Sequence, residues 1–125
     1  MTNLFQWGEF KSAAGKKLDF KIECDALADD DWRCIANIIS RRIKFKHVSN
    51  VPTGAEKLAA QLALCSDDSS DTWLFVDDVW TTGNSMRKYA TRLGFIEPSM
   101  WKGFVLFARG PLDENVSALF TYNEV

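Results

Sequence analysis

Apolar and polar positions alternate one by one through Leu18-Asp19-Phe20-Lys21-Ile22-Glu23-Cys24-Asp25, the period of a strand with one face in water. The rhythm then changes. Trp32, Ile35, Ala36, Ile39 and Ile43 recur at helical spacing, with Arg33, Asn37, Arg41 and Arg42 between them, which predicts an amphipathic helix. It opens on Ala28-Asp29-Asp30-Asp31, where an Asp serves as N-cap and its neighbours suit the positive end of the helix dipole. Residues 45–51 read as the next strand. Residues 56–64 read as a helix with Leu58, Ala59, Leu62 and Ala63 on one face. The run Trp73-Leu74-Phe75-Val76 is short, aromatic and apolar, hence a buried strand that ends before Asp77 and Asp78. Residues 86–93 form a third helix, stopped by Gly94. Residues 103–108 are another buried strand, closed by Arg109-Gly110-Pro111. Residues 116–122 are a strand or a short helix, and the pattern does not decide. Residues 1–17 mix Phe5, Trp7 and Phe10 with Gly8, Ala13-Ala14-Gly15 and Lys16-Lys17, which argues for turns.

Strands alternating with helices predict an α/β fold, a mostly parallel sheet flanked by helices with right-handed crossovers. Ligands of such sheets bind beyond the carboxyl ends of the strands. Two strand-to-helix turns are candidates there. The first is Thr81-Thr82-Gly83-Asn84-Ser85, which follows Asp77 and Asp78. Its glycine tolerates φ > 0, and the helix after it offers unpaired N–H groups and a positive dipole end. Hydroxyls of Thr81, Thr82 and Ser85 add donors. Two adjacent carboxylates can accept hydrogen bonds from vicinal sugar hydroxyls and help hold a hydrated Mg²⁺. The second turn is Val51-Pro52-Thr53-Gly54, placed in the same way before the helix at 56–64. By spacing alone Asp77-Asp78 also reads as a strand terminus before a capped helix. A phosphatase-like nucleophile would want a second Asp at position 80, which holds Trp80.

Leu74-Phe75-Val76-Asp77-Asp78-Val79-Trp80-Thr81-Thr82-Gly83-Asn84-Ser85 resembles the phosphoribosyl-pyrophosphate (PRPP) signature of type I phosphoribosyltransferases: an apolar strand, two acidic residues, two apolar spacers, then Thr-Thr-Gly-x-Ser. The resemblance implies that Asp77 and Asp78 hold the ribose 2- and 3-hydroxyls and that residues 81–85 cradle the 5-phosphate. Asn50-Val51-Pro52-Thr53-Gly54-Ala55 is similar to the family's pyrophosphate-binding loop. Gly8-Glu9-Phe10, Ser12-Ala13-Ala14-Gly15 and residues 20–25 are similar to the opening of orotate phosphoribosyltransferases. That similarity implies base contacts for Lys16 and Phe20, and the sheet end implies one for Arg109.

The implied organisation is a single phosphoribosyltransferase-like domain over residues 1–125. A reduced base-covering region plus strand occupies 1–27, and the α/β core 28–125. The implied activity is a glycosyltransferase reaction, transfer of ribose 5-phosphate from PRPP to a nucleobase with Mg²⁺. One departure stands out. The family carries a long basic lid between the pyrophosphate-loop helix and the signature strand. Here that interval is Ser66-Asp67-Asp68-Ser69-Ser70-Asp71, with no Lys or Arg. The alternative is therefore a non-catalytic sensor or regulatory module that binds PRPP or a nucleoside monophosphate.

Composition mainly removes other readings. A chain of 125 residues makes one domain with a real core. Lys and Arg total 15 against 17 Asp and Glu, a net charge of −2, so a nucleic-acid partner has no basic footprint. No apolar run approaches the ~20 residues of a membrane span. The N-terminus lacks the charged start and apolar core of a secretory signal. Cys24, Cys34 and Cys65 show no Cys-x-x-Cys spacing and are expected as small buried side chains in a reducing cytoplasm. His47 is the only histidine, so a zinc site lacks ligands and His47 is expected to be structural. The sequon Asn115-Val116-Ser117 is discounted without a secretion signal. Five Trp and nine Phe suffice for a homodimer face as well as a core.

Overall fold

The stripe at positions 32, 35, 36 and 39 is the buried face of helix α1 (Asp29–Arg42). It is seen in a computed structural model that describes the backbone of residues 5–11 and 17–22, and residues 26–52 and 54–122 in full. The N-cap of α1 is Ala28 rather than an Asp. Asp31 reaches back instead, accepting the Ala28 N–H at 2.8 Å, while Asp29, Asp30 and Asp31 fill the first turn. Three acids therefore satisfy this helix end from inside the helix.

Four strands form one parallel sheet in chain order: β3 (His47–Asn50), β4 (Trp73–Trp80), β5 (Lys102–Ala108) and β6 (Val116–Thr121). Helix α2 (Glu56–Ala63) links β3 to β4, and α3 (Asn84–Arg92) links β4 to β5. Side chains alternate across the sheet as the pleat requires. Leu74, Val76, Phe104 and Leu106 pack with Trp32, Ile35 and Ile39 of α1 and with Leu58 and Leu62 of α2. Phe75 and Val105 face the other way, toward Met86 and Ala90 of α3, Trp101 and Val116. The result is three layers. Full burial of each large apolar side chain contributes about 1.5–3 kcal/mol.

β1 (Phe5–Lys11) and β2 (Lys17–Ile22) make a separate antiparallel pair. The turns expected over residues 1–17 are thus replaced in part by a strand. Gly8 does not end it, because the register shifts between Trp7 and Phe10. An irregularity of that kind absorbs a glycine without stopping the ladder. Lys16 lies outside the described residues, and Phe20 is placed as a backbone position in β2.

Two further expectations are corrected. β4 does not stop at Val76. It runs on to Trp80, because β5 extends far enough to pair Asp77 with Val105, Val79 with Phe107 and Trp80 with Ala108. Cys34 is exposed and Cys65 only half-buried, so the expectation of buried thiols fails for Cys34; Cys24 lies outside the described residues. The segment at 116–122, left open by its pattern, is a strand.

β6 is parallel to β5 although only residues 109–115 join them, fewer than the dozen or more such a crossover usually takes. The return carries no helix: Leu112 packs on the α3 side of the sheet, and a turn closes where the Val116 N–H donates to the Asp113 carbonyl at 3.1 Å. The Trp80 indole N–H donates to the Pro111 carbonyl at 2.9 Å, and the Asn115 amide donates to the Trp101 carbonyl at 3.2 Å.

Candidate functional site

The register of β3 against β4 creates the site. Asn50, the last residue of β3, pairs with Val76. β4 continues past it, so Asp77 and Asp78 rise alongside the turn that follows β3. That turn is tied down: Val51 N–H donates to the Val76 carbonyl at 2.8 Å, and Gly54 N–H to the Val51 carbonyl at 3.0 Å. The Asn50 side chain donates to the Gly54 carbonyl at 3.0 Å. Ala55 then enters α2 with φ 62°, a left-handed conformation that costs a non-glycine residue of order 1 kcal/mol or more.

Gly54 has a steric task here. A methyl group on it would stand 2.8 Å from Asp78 Oδ2 and 2.9 Å from Asp77 Oδ1. The two carboxylates therefore converge on a space that only a side-chain-free residue leaves open. Gly54→Ala should leave the fold nearly as stable, since carboxylate ends can swing aside. It should splay the pair, and displacement of about 1 Å in such a constellation costs on the order of 10²-fold. Thermal melts beside ligand titrations separate the two effects; a binding loss no larger than the stability loss would contradict this role.

Burial pushes the Asp77 carboxyl up to about 6, helped by the charge of Asp78 and opposed by the Asp78 N–H it accepts. That hydrogen bond is 2.8 Å long. A carboxyl raised in this way, beside a second half-buried carboxylate, suits a site that takes hydroxyl donors or a cation.

The second turn follows at the end of β4. Asp77, Val79 and residues 80–86 line one small cradle. Gly83 caps α3 with φ 84°. Unlike α1, helix α3 has no acid in its first turn; the Thr82 hydroxyl accepts the Asn84 N–H at 3.4 Å, and the positive end of the helix suits an outside anion. Below the turn, the space of a Gly83 side chain is taken by the Trp80 ring, 2.3 Å from where a Cβ would sit. Arg87 donates to the Thr82 carbonyl at 2.9 Å and to both oxygens of Asp113 at 2.7 and 2.8 Å.

Arg109 also lies at this rim. Its N–H donates to the Trp80 carbonyl at 2.8 Å. It is buried, 7% exposed, and its guanidinium lies over the Tyr122 ring at 5.8 Å, so it is not a surface arginine. His47 is far from the turns, at the start of β3, stacked on Trp73 at 4.5 Å. Thr53 and Lys16 lie outside the described residues.

The interval at 66–71 belongs to the opposite rim. The Asp67 N–H donates to the Phe45 carbonyl at 2.8 Å and Lys46 N–H to the Thr72 carbonyl at 2.9 Å. Ser66 Oγ donates to the Lys46 carbonyl at 2.7 Å. At about 3.3 Å per residue, Thr72 and Asp77 are roughly 16 Å apart along β4. A cavity of about 550 Å³ also opens on that far rim, lined by Arg42, Asp71, Trp101, Lys102 and Glu114 among others. It contains neither carboxylate of the pair nor either turn, so size does not mark the site here.

The support behind the turn at 81–85, made by Trp80, Arg87, Asp113 and Pro111, was not legible as a motif. Its one signal was the brevity of the 109–115 interval between two predicted elements, which forces a return close against the turn at 81–85.

No family model and no curated protein matches the chain at the level of sequence. Solved structures do match in shape. Orotate phosphoribosyltransferase from Aeropyrum pernix superposes with a TM-score of 0.68 at 18% identity, over 94% of this chain and 88% of that one. UMP synthase of Leishmania donovani gives 0.70 at 16%, over 94% of this chain and 33% of its own. Orotate phosphoribosyltransferase of Francisella tularensis gives 0.60 at 13%, over 94% and 80%. The four-stranded parallel sheet between helices, carrying both turns at its carboxyl rim, is thus the type I phosphoribosyltransferase fold in reduced form.

Proposed function

We propose that the carboxyl rim binds PRPP with Mg²⁺ and passes its ribose 5-phosphate to a nucleobase nitrogen, releasing pyrophosphate. The observation that supports this most is the convergence of Asp77 and Asp78 on the space beside Gly54, between two turns that each lead into a helix. Asp77 and Asp78 accept the ribose 2- and 3-hydroxyls. Thr81, Thr82, Gly83, Asn84 and Ser85 take the 5-phosphate. Val51, Pro52, Thr53 and Gly54 face the pyrophosphate. Lys16, Phe20 and Arg109 are the proposed base contacts, in a single domain over 1–125. Homodimerisation and a cytoplasmic setting belong to the same reading; among the described residues no helix is long and apolar enough to cross a membrane.

The donor set fits Mg²⁺. Both carboxylates offer oxygen only, around a space that a Cβ would fill. Among the described residues no group of three or more His, Cys, Asp or Glu could hold an ion by itself, and Mg²⁺ commonly takes one or two carboxylates, several waters and substrate phosphates. Asp77 and Asp78 would hold it through such waters. When bound it neutralises charge on the departing pyrophosphate. In the transfer, the bond from ribose C1 to pyrophosphate oxygen would break, a bond from C1 to the base nitrogen would form, and the proton of that nitrogen would pass to solvent. The cationic character that develops on the ribose is met by the two carboxylates. No side chain need act as nucleophile; positioning and electrostatics suffice.

A second reading has its own observation. The interval that corresponds to the family's basic lid is short, acidic and anchored at the far rim. Without lid closure, water is not excluded from the reacting centre. That favours a module that binds PRPP or a nucleoside monophosphate without turnover. Pyrophosphate release from Mg²⁺–PRPP across a panel of nucleobases, with binding measured alongside, tests both. Base-dependent release supports transfer. Binding without release supports the module. Neither binding nor release overturns both.

A further inference from the structure

The Thr82–Gly83 peptide must present its N–H to a phosphate for the turn at 81–85 to work; within the turn the Thr82 hydroxyl accepts the Asn84 N–H at a long 3.4 Å, which leaves the Thr82 carbonyl to be held from outside. A trans peptide is planar, with C=O and N–H pointing in opposite directions. Whatever holds the Thr82 carbonyl therefore aims the Gly83 N–H. That carbonyl is held by Arg87 Nη1 at 2.9 Å. The same guanidinium is fixed in a two-point fork on Asp113, Nε to Oδ2 at 2.7 Å and Nη2 to Oδ1 at 2.8 Å. It lies over the Trp80 ring, 5.2 Å from the centroid. Trp80 is itself tied to the Pro111 carbonyl, on the return segment that carries Asp113. Gly110 of this segment sits so close that a Cβ on it would be 2.5 Å from the Thr81 carbonyl oxygen.

We propose that Arg87 is a positioning residue for phosphate binding, fixed by Asp113 so that it holds the Thr82 carbonyl back and turns the Gly83 N–H into the cradle. This rests on the reading of residues 81–85 as the phosphate site. Glycine makes the device necessary: the residue after the Thr82 carbonyl is conformationally free, so an unheld peptide can flip. A flipped peptide points carbonyl oxygen at the anion and repels it. Arginine suits the task better than lysine, because a planar fork can grip both carboxylate oxygens and still reach a third acceptor.

Asp113→Asn separates positioning from plain attraction. It removes a negative charge near the cradle, so electrostatics alone predicts tighter binding of a phosphate. Positioning predicts the reverse. Titration with ribose 5-phosphate should show affinity lowered about 10-fold or more in Asp113→Asn and in Arg87→Lys, on the order that oriented charged hydrogen bonds carry. Affinity for inorganic pyrophosphate should be unchanged in both, and melting curves confirm that each variant is folded. Asp113→Asn binding ribose 5-phosphate as tightly as the parent, or more tightly, would overturn the proposal. If the parent protein binds no ribose 5-phosphate, the reading of the site fails, and the peptide is then followed directly. A Gly83 amide resonance that shifts or broadens in Asp113→Asn supports Arg87 as the holder of the turn; a resonance identical to the parent's overturns it.

Discussion

Asp77→Asn should make the free protein more stable at pH 7 while removing its affinity for PRPP. The cause is the carboxyl raised to about 6. Between about pH 4 and 6 the folded protein holds a proton at this site that the unfolded chain has lost. Its stability therefore falls as pH rises through that window and is flat above it. Raising the carboxyl from 3.8 to about 6 corresponds to about 3 kcal/mol at neutral pH. Asparagine has no charge to desolvate, and its amide oxygen can still accept the Asp78 N–H. A gain of about 1–3 kcal/mol follows, or several degrees of Tm in a domain of this size. The difference between the two proteins should shrink toward pH 5 and vanish near pH 4. Ligand binding moves the other way. Ribose hydroxyls and a cation both favour the ionised carboxylate, so affinity should rise with pH between about 5 and 7 and be largely lost in the variant. Thermal melts at pH 4, 5 and 7 check the first half. A variant less stable than the parent at pH 7 would mean that the Asp77 charge is compensated in the free protein.

Gly83→Ala should be the most damaging single substitution at the rim. Two costs add. The residue sits at φ 84°, which costs a residue with a Cβ about 1–2 kcal/mol. The new methyl would also meet the Trp80 ring at 2.3–2.4 Å and Arg87 Nη2 at 2.9 Å. Trp80 is held by its bond to Pro111 and buried to 2% exposure, so it cannot swing away as a lysine would; overpacking of this kind adds about 1–3 kcal/mol. The expected loss is about 2–5 kcal/mol in urea denaturation, with binding of 5-phosphorylated ligands abolished because the turn must move. A second substitution, Trp80→Leu, should restore the steric part of the stability and leave the backbone strain. If the double variant is no more stable than Gly83→Ala alone, the Trp80 contact is not the source of the loss.

How far the chain could be read in advance follows from what each feature depends on. The α1 stripe at Trp32, Ile35, Ala36 and Ile39 needs only its own periodicity, and it is buried as expected. The order Asp77, Asp78, Thr81, Thr82, Gly83 was legible because strand, turn and helix are consecutive in the chain. The end of β4 was not, because the ladder at Val79 and Trp80 is supplied by Phe107 and Ala108, residues remote in sequence. β1 was hidden by Gly8, which sits within a register shift that only pairing with β2 reveals. The acidity of the interval at 66–71 was legible from its residues alone. Its anchoring to Phe45 and Lys46 at the far rim was not, since the carbonyls that hold it belong to another element. The closeness of Gly54 to both carboxylates likewise depends on β4 overshooting β3, a matter of register rather than of motif.

The central claim is that Asp77 and Asp78 hold the ribose of a 5-phosphorylated ligand. Calorimetric titration with Mg²⁺–PRPP, of the parent protein and of the Asp77→Asn, Asp78→Asn double variant, tests it most directly. The account predicts micromolar binding by the parent at pH 7 and none by the folded double variant. Equal binding by the two proteins, or no heat from the parent, would contradict it.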